Sequence, residues 1–366
     1  MNVFLLTSHP VAPPWNSGDK NLARTLLLGE AGVDFSFIGD RADPSPWPQR
    51  HHRVQMRSGG FAPSAVEKLR LFGHLLGGAP RADAAHLIVS FQSSRVTPRL
   101  LGALPLLRKR PFLATCPSGQ FHPLPLLQRA RGVVALSART ARKLREDGVA
   151  RVEHIPPGVD LERFTPQPVE DGWAHLDVGE GPFLLFAGHH DRFGGLEQAL
   201  DVVAAVRRRV PAVRLIAAMR HRPSEDQADM RERLAAMVRE RDLDGAVVEL
   251  GGLANMLAAI LAAHAVIFQP SRLGLKMELP LTLLEALACG RPVVVNDLET
   301  LPEIGGPPAV QVGDPGDPAV VDHLVSLLRD PGYFDECSAA ARALAVERYD
   351  AAAMVRRYAE LYRGLS

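Results

Sequence analysis

The residue whose setting most clearly suggests chemistry is Glu285, the one charged side chain between Pro280 and Cys289. Proline at the first helical position and Gly290 just past the last predict a helix over 280–289. Leu281, Leu284 and Ala288 recur at the spacing of one helical stripe, so the helix should pack into a core and carry Glu285 close to it. A carboxylate in that position needs a partner, which is either a basic side chain or a bound ligand. The local sequence leaves both alternatives open.

Two series of short apolar runs must position this helix. Each run has the length of a strand and alternates with helical stretches, which is typical of a parallel sheet. The sequence therefore predicts two doubly wound α/β domains, with the ligand site in the cleft between them and the boundary between Pro157 and Gly181. The predicted strands are Val3–Leu6, Phe35–Ile38, Leu87–Ser90, Pro111–Thr115, Val133–Leu136 and Val152–Ile155, then Phe183–Ala187, Val213–Ala217, Val247–Leu250, Val266–Phe268 and Pro292–Val295.

Composition excludes several classes of protein. A length of 366 residues suits two α/β domains, and 46% hydrophobic with 23% charged residues is an ordinary soluble balance. Cys116, Cys289 and Cys337 are odd in number and widely spaced, so they predict neither a disulfide framework nor a metal site. The amino terminus does not resemble a signal peptide, and the longest apolar region is too short to span a bilayer. We therefore expect a cytoplasmic protein.

The net charge of +1 hides an asymmetry between the two halves of the chain. Residues 1–160 hold 21 Lys and Arg against 11 Asp and Glu, whereas the remainder is acidic by 9 charges. One interpretation is a solvated face with long-range attraction between the domains. The other is a first domain that meets an anionic partner, such as a phospholipid surface at the inner face of the membrane, with Val66–Leu76 as an amphipathic contact helix. Nucleic acid is not expected, because no recognition motif accompanies the charge.

Three segments carry a family resemblance. His264–Ile304 contains a buried strand, a Pro-Ser turn, Glu285, the sequence EALACGRPVV and a Pro-Glu turn. Val133–Pro166 contains a strand, a helix and the turn Pro-Gly-Val-Asp, and Pro182–Val206 contains a strand, a glycine loop and a helix. In this order they resemble the retaining glycosyltransferases of GT-B fold, in the family-four group also called glycosyl transferases group 1. The first forty residues and a last helix over 351–365 extend the resemblance over almost the whole chain.

The resemblance implies an α/β protein of GT-B fold, with two Rossmann-like, doubly wound parallel-sheet domains facing each other across a cleft. Residues 1–160 would form the acceptor-side domain, 161–346 the nucleotide-sugar donor domain, and 347–366 a helix that returns to the first domain. The implied activity is transfer of a sugar from a nucleoside-diphosphate donor to a hydroxyl acceptor, anionic or lipid-linked, with retention of the anomeric configuration. Such enzymes serve glycan, glycolipid or glycosylated-metabolite synthesis. The nucleotide sugar is a co-substrate, and neither a cofactor nor a metal is expected.

On the donor side, the chain departs from the family at the loop that meets the diphosphate. His189 stands at the position of the family's arginine, and Gly194 at that of its lysine. Gly194 and Gly195 open a helix whose backbone N–H groups would form an anion seat. Arg272 and Lys276 precede the Glu285 helix and either supply cationic contacts or face solvent as loop residues. By resemblance, Glu285 accepts hydrogen bonds from the ribose hydroxyls.

The family's first glutamate has no exact counterpart. Glu278 and Glu285 are separated by six residues, one fewer than in the family pattern, so a strict count places Met277 at that position. Glu278 is the candidate catalytic residue that contacts the donor sugar if the loop shifts by one residue.

On the acceptor side, the matching loop contains Ser17, Gly18, Asp19 and Lys20. Gly18 either permits close approach of a ligand or serves a tight turn. Asp19 and Lys20 either touch the acceptor or a phosphate, or cap and solvate the following helix. Many relatives have a histidine after the strand at 111–115, where this chain has Cys116 and, later, His122.

These departures motivate an alternative from another class. A GT-B-fold protein that has lost catalysis could serve as a binding or partner subunit. A sugar-nucleotide epimerase on the same fold is a third interpretation, against which the Pro-Gly-Val-Asp turn and EALACGRPVV argue.

Overall fold

The computed structural model describes most of the chain and divides it into two compact units. Unit 1 comprises Met1–Gly158, Gly274–Glu278 and Ala351–Ser366, and unit 2 comprises Val159–Leu273 and Leu279–Asp350. Glu278 therefore clusters with unit 1, although the predicted bounds 161–346 include it in the second domain. The described residues are 1–7, 10–13, 15, 17–41, 43, 47, 50–54, 64, 66–67, 69–70, 72–73, 82–88, 101–119, 123–167, 178, 181–189, 194–220, 227–250, 256–273 and 277–365.

In the described part of unit 1, seven strands form one parallel sheet in the order β3-β2-β1-β4-β5-β6-β7. The chain runs outward from β1 to one edge, returns to pair β4 with β1, and continues to the other edge. Such a reversal is the switch point of a doubly wound sheet. The strands are β1 (Asn2–Thr7), β2 (Asp34–Asp40), β3 (Arg50–Val54), β4 (Ala84–Ile88), β5 (Phe112–Cys116), β6 (Gly132–Ala135) and β7 (Val152–His154).

Helices cover both faces of this sheet through two apolar cores. One core joins α1 to residues such as Phe35 and Phe37, and the other lies around Phe4 and Phe112. The amino-terminal helices of unit 1 are α1 (Gly18–Leu28), α2 (Pro105–Lys109), α3 (Leu124–Leu127) and α4 (Ala138–Glu146).

Among the described residues of unit 2, six strands form a second parallel sheet in the order β10-β9-β8-β11-β12-β13. Its switch point lies between β8 and β11. The prediction of two doubly wound parallel sheets is confirmed. The strands are β8 (Phe183–His189), β9 (Arg214–Arg220), β10 (Val247–Leu250), β11 (Ala263–Phe268), β12 (Val293–Val295) and β13 (Val310–Val312).

The helices of unit 2 pack on both faces of that sheet. Alternate residues of β11 divide between the two cores, with Ala265 and Ile267 in one and Val266 and Phe268 in the other. A central strand buried on both faces reads as a continuous apolar run, which is why it was predictable. The helices are α5 (Leu196–Arg207), α6 (Gln227–Arg239), α7 (Met256–Ala262), α8 (Leu281–Ala288), α9 (Pro318–Arg329) and α10 (Pro331–Arg348).

The last helix, α11 (Ala351–Arg363), completes a core of unit 1. Its Tyr358 and Tyr362 are fully buried beside His86 of β4. His86 hydrogen-bonds through Nδ1 to the Tyr362 hydroxyl (2.7 Å) and through Nε2 to Thr115 Oγ1 (2.8 Å), which lies 3.0 Å from the Tyr358 hydroxyl. We call these four residues the His86 network. Burial lowers the pKa of His86 to about 3, so the ring is neutral at physiological pH.

Two strands were missed by the sequence analysis, and both lie at sheet edges. β3 has the sequence RHHRV and β13 has three residues, so neither contains the apolar run that marks a buried strand. An edge strand has one neighbour instead of two and needs less apolar surface. The described chain thus has one more strand per sheet than predicted.

The helix predicted over 280–289 is α8, with Pro280 at the N-cap instead of the first helical position. Leu284 and Ala288 of the predicted stripe are buried, whereas Leu281 is half-buried. The helix also buries Leu283, Ala286 and Leu287, so it faces the core over a wider arc than a single stripe.

Candidate functional site

The first turn of α5 lies at the switch point of unit 2. Gly195, its N-cap, has φ of +93° and ψ of 9°, in the left-handed region. A Cβ at this position would lie 2.8 Å from the carbonyl carbon of Gln269, just beyond β11, so a side chain does not fit. The N–H groups of this turn and the helix dipole are the predicted anion seat, and the switch point is where a doubly wound sheet binds ligands. The predicted helix opening at Gly194 and Gly195 is confirmed, and phosphate binding there stays a prediction.

Two side-chain amides link the loops around this seat, and the sequence analysis missed both. The fully buried Gln269 donates through Nε2 to the carbonyl of Gly313 (2.6 Å). Asn296 donates through Nδ2 to the carbonyl of Pro270 (2.8 Å). These bonds connect the carboxyl ends of β11, β12 and β13. A polar residue directly after each apolar strand was the available signal.

Glu285 is half-buried in the second turn of α8, between core residues Leu284 and Ala286. Its negative charge contributes to the raised pKa of the neighbouring Cys289 thiol, which burial, the larger cause, brings to about 12. The expectation that the helix carries this carboxylate close to the core is confirmed. Its binding to ribose stays a prediction.

The cationic residues predicted for the donor side are only partly described. Arg272 is exposed, four residues after the end of β11 in the loop that leads toward α8. The backbone of His189 ends β8, but its side chain lies outside the described residues. Lys276, like His122, falls outside the described residues.

Glu278 is buried in unit 1, with 2% of its surface exposed. Its Oε2 accepts hydrogen bonds from Ser137 Oγ (2.9 Å) and Thr140 Oγ1 (2.6 Å), both at the amino terminus of α4. Its backbone N–H donates to the carbonyl of Pro117 (3.0 Å). These partners were not predicted, because residues so far apart in sequence give no local pattern. The predicted contact of Glu278 with a donor sugar stays a prediction.

The acceptor-side loop leads into α1 through a polar cluster. Ser17, the N-cap, donates a hydrogen bond from its hydroxyl to the Asp19 carboxylate. Lys20 donates through Nζ to the carbonyl of Ala12 (3.0 Å), and burial lowers its pKa although Asp19 and Asp40 oppose the shift. Asp19 and Lys20 are 6% and 8% exposed in the first turn of α1, so they do not solvate the helix, and their contact with an acceptor or a phosphate stays a prediction.

Met277 packs against Gly18, whose lack of a side chain leaves room for it. A Cβ on Gly18 would lie 2.8 Å from Met277 Cε and 3.0 Å from its Cβ. The residue that a strict count places at the family's first glutamate position is therefore an apolar neighbour of the acceptor-side loop.

Cys116 is the last residue of β5. The family resemblance implies a histidine just after this strand in many relatives. Cys116 is buried, and burial together with the Glu278 carboxylate raises the pKa of its thiol. A thiol in this state is a poor nucleophile. We therefore assign Cys116 a structural role in the core of unit 1 and no catalytic one.

Solved structures define the fold class. The chain is similar to sucrose-phosphate synthase from Thermosynechococcus elongatus, with a TM-score of 0.77 and 20% identity over 100% of this chain and 99% of that one. HepE of Anabaena in complex with UDP and glucose has a TM-score of 0.74 and 15% identity, over 99% of each chain. Together with the two doubly wound sheets, these similarities identify the GT-B fold.

Sequence comparison identifies the family of one domain. Residues 181–330, which include Gly195, Gln269 and Glu285, match the family model described as "Glycosyl transferases group 1". Residues 181–330 therefore form a domain of the glycosyl transferases group 1 type, within a chain of GT-B fold. No described helix is long and apolar enough to cross a membrane.

Curated relatives are similar over part of their length. A D-inositol 3-phosphate glycosyltransferase of Pseudarthrobacter chlorophenolicus is 34% identical over 40% of this chain and 34% of its own. A GDP-mannose-dependent alpha-(1-6)-phosphatidylinositol monomannoside mannosyltransferase of Mycolicibacterium smegmatis is 30% identical over 59% of this chain and 57% of its own. The chain spans between about a third and somewhat more than half the length of these two relatives.

Proposed function

We propose that this chain transfers a sugar from a nucleoside-diphosphate donor to a hydroxyl group, with retention of the anomeric configuration. The observation that carries the proposal is the anion seat at Gly195, at the switch point of a sheet within the residues that match the family. In this role the first turn of α5, with Gly194 and Gly195, binds the diphosphate. Glu285 accepts hydrogen bonds from ribose, and Arg272, Lys276 and His189 add cationic or hydrogen-bonding contacts.

The chemical requirement is stabilisation of the charge that develops as the donor breaks. The bond between the sugar C1 and the phosphate oxygen breaks, a bond between C1 and the acceptor oxygen forms, and the acceptor proton passes to an oxygen of the departing phosphate. N–H groups fixed by the left-handed Gly195 stabilise the leaving diphosphate without reorganising. No bound metal enters this proposal.

For the acceptor, we propose an inositol-based compound that carries a phosphate, either free or lipid-linked. The support is the printed activity of two similar proteins, a D-inositol 3-phosphate glycosyltransferase and a phosphatidylinositol monomannoside mannosyltransferase. The excess of positive charge in residues 1–160 suits an anionic acceptor. The loop with Ser17, Gly18, Asp19 and Lys20 is its proposed neighbour.

The deciding experiment measures thermal stabilisation by UDP, GDP, ADP and TDP and by their common sugars. One nucleotide series should stabilise the protein, because a ligand that binds only the folded state raises its unfolding free energy. Glu285→Ala should abolish the effect, whereas Glu232→Ala, at an exposed position of α6, should leave it unchanged. Turnover with D-inositol 3-phosphate and the identified donor, followed by NMR of the anomeric proton, tests acceptor and retention. No stabilisation by any nucleotide would refute the donor site.

A second candidate function is a catalytically inactive subunit of the same fold. The burial of Glu278 against Ser137 and Thr140 favours it, because the carboxylate nearest the family's first glutamate position is engaged within unit 1. Turnover by the isolated chain that is lost in Glu285→Ala would reject this candidate.

Peripheral membrane contact through unit 1 is a further part of the proposal. Val66 and Leu69 are 58% and 72% exposed, and Arg70 beside them is exposed as well. An apolar pair with an adjacent cation suits the interface of an anionic bilayer. Sedimentation with vesicles of phosphatidylglycerol should exceed that with phosphatidylcholine, and Leu69→Asp should reduce it. Equal sedimentation with both would contradict the contact.

A further inference from the structure

The carboxylate of Glu278 lies at the amino terminus of α4, a helix of nine residues. Ser137 is its N-cap and accepts a hydrogen bond from the Thr140 N–H (3.1 Å). The Ser137 hydroxyl therefore has its proton free to donate to Glu278, which it does at 2.9 Å. Thr140 donates to the same oxygen at 2.6 Å. Two hydroxyl donors and the positive end of a helix dipole together stabilise a negative charge at this place.

The surrounding backbone is shaped to this contact. A Cβ on Gly119 would lie 3.1 Å from Glu278 Oε2 and 3.0 Å from Thr140 Oγ1, so glycine leaves the carboxylate room to reach the helix. The hydrogen bond from the Glu278 N–H to Pro117 fixes the main chain beside it. Side chain and backbone of Glu278 are thus both held by residues of unit 1.

We propose that Glu278 is a positioning residue whose carboxylate fastens the chain at 277–278 to the amino terminus of α4. This contact, the Glu278 clasp, consists of Glu278, Ser137 and Thr140. It keeps Met277 against Gly18 and so supports the loop proposed to meet the acceptor. The inference rests on the proposed function, since what it positions is a substrate loop. A carboxylate that turned to a sugar would leave two hydroxyls at a buried site without their acceptor, which is costly.

The shorter spacing between the two glutamates has a physical explanation in the clasp. With six intervening residues instead of seven, the glutamate moves one place along the chain. Met277 then lies against Gly18, while Glu278 reaches the amino terminus of α4.

The experiment compares variants that keep or remove the hydrogen bonds of the clasp. Glu278→Gln keeps an oxygen that can accept from Thr140, and Thr140→Ser keeps the hydroxyl. Both should retain kcat/KM within about threefold of wild type, because their hydrogen bonds survive. Glu278→Ala and Thr140→Val remove the contact and should each lose about tenfold, mainly through a higher KM for D-inositol 3-phosphate and not for the donor. The double variant should lose little more than Glu278→Ala alone.

A direct role at the sugar predicts the opposite pattern. Glu278→Gln would then lose as much kcat as Glu278→Ala, and Thr140→Val would be neutral; either result overturns the proposal. A double-mutant cycle of wild type, Glu278→Ala, Thr140→Val and the double variant can also be followed by thermal unfolding. This measurement needs no substrate, so it separates failure of the clasp from failure of the proposed function. Non-additive losses in Tm support the clasp, and additive losses overturn it even where the wild type turns over no donor.

Discussion

Acidification should destabilise unit 1 through His86. Burial lowers the pKa of this ring from an ordinary 6.5 to about 3. Below pH 6.5 the unfolded chain binds a proton that the folded chain does not, so the free energy of unfolding falls with the pH until the folded ring protonates near pH 3. At pH 5 one such histidine lowers the free energy of unfolding by about 2 kcal/mol, and the slope there is about 1.4 kcal/mol per pH unit.

Urea unfolding at a series of pH values, followed by tryptophan fluorescence, measures this slope. Trp15 and Trp47 pack against each other in unit 1 with ring centroids 5.9 Å apart, so they report on that unit. A Trp173→Phe background removes the remaining tryptophan, which lies outside the described residues. His86→Gln keeps a polar side chain but does not titrate.

The variant should be less stable than wild type at pH 7, because glutamine does not reproduce the ring's contacts with Thr115 and Tyr362. Its free energy of unfolding should fall less steeply as the pH is lowered, with a slope smaller by about 1.4 kcal/mol per pH unit, which corresponds to one proton. His323→Gln is the matched control: burial lowers the pKa of His323 to about 4, but it lies in unit 2 and should leave the tryptophan signal of unit 1 unchanged. Equal slopes for wild type and His86→Gln would refute the reasoning.

Three further predictions follow from individual contacts. Gly195→Ala should destabilise unit 2 by about 1–3 kcal/mol and weaken nucleotide binding in the thermal-shift assay, because the residue is left-handed and lacks space; an unchanged Tm would contradict this. Gly18→Ala should lower the unfolding free energy by about 1–2 kcal/mol through collision with Met277, and Met277→Ala in the same chain should restore most of the loss in urea unfolding. The buried Cys289 thiol, with its pKa raised to about 12, should resist iodoacetamide at pH 8 until the protein unfolds, as mass spectrometry of the labelled peptides would show.

The central strands were predictable because burial on both faces leaves a continuous apolar run. β11 was predicted as 266–268 and observed as Ala263–Phe268, and β8 was predicted as 183–187 and observed as Phe183–His189. The edge strands β3 and β13 carry no such run, since a strand with one neighbour can be polar or short. The edge strand β10, with the sequence VVEL, was predicted at both bounds, so it is the polar sequence of β3 and the short length of β13 that hid these two strands.

In the candidate site, features that depend on local spacing were predicted, whereas contacts between residues far apart in sequence were not. The opening of α5 by Gly195 and the half-buried position of Glu285 follow from local spacing, and the sequence predicted both. The contact of Glu278 with Ser137 and Thr140 joins residues 141 and 138 positions apart, so no local pattern announces it. The buried amide of Gln269 was missed because a single polar residue after a strand resembles any loop residue.

The His86 network has a consequence for the order in which the protein is assembled during synthesis. Unit 1 contains the first residues of the chain, yet its core includes Tyr358 and Tyr362, which leave the ribosome after all of unit 2. Domains usually fold from the amino terminus onward as they emerge. Here the His86 network cannot form until Tyr358 and Tyr362 of α11 have been synthesised. Unit 2 is therefore expected to reach its native packing first. A released chain truncated after Asp350 should accordingly protect unit 2, but not unit 1, from protease.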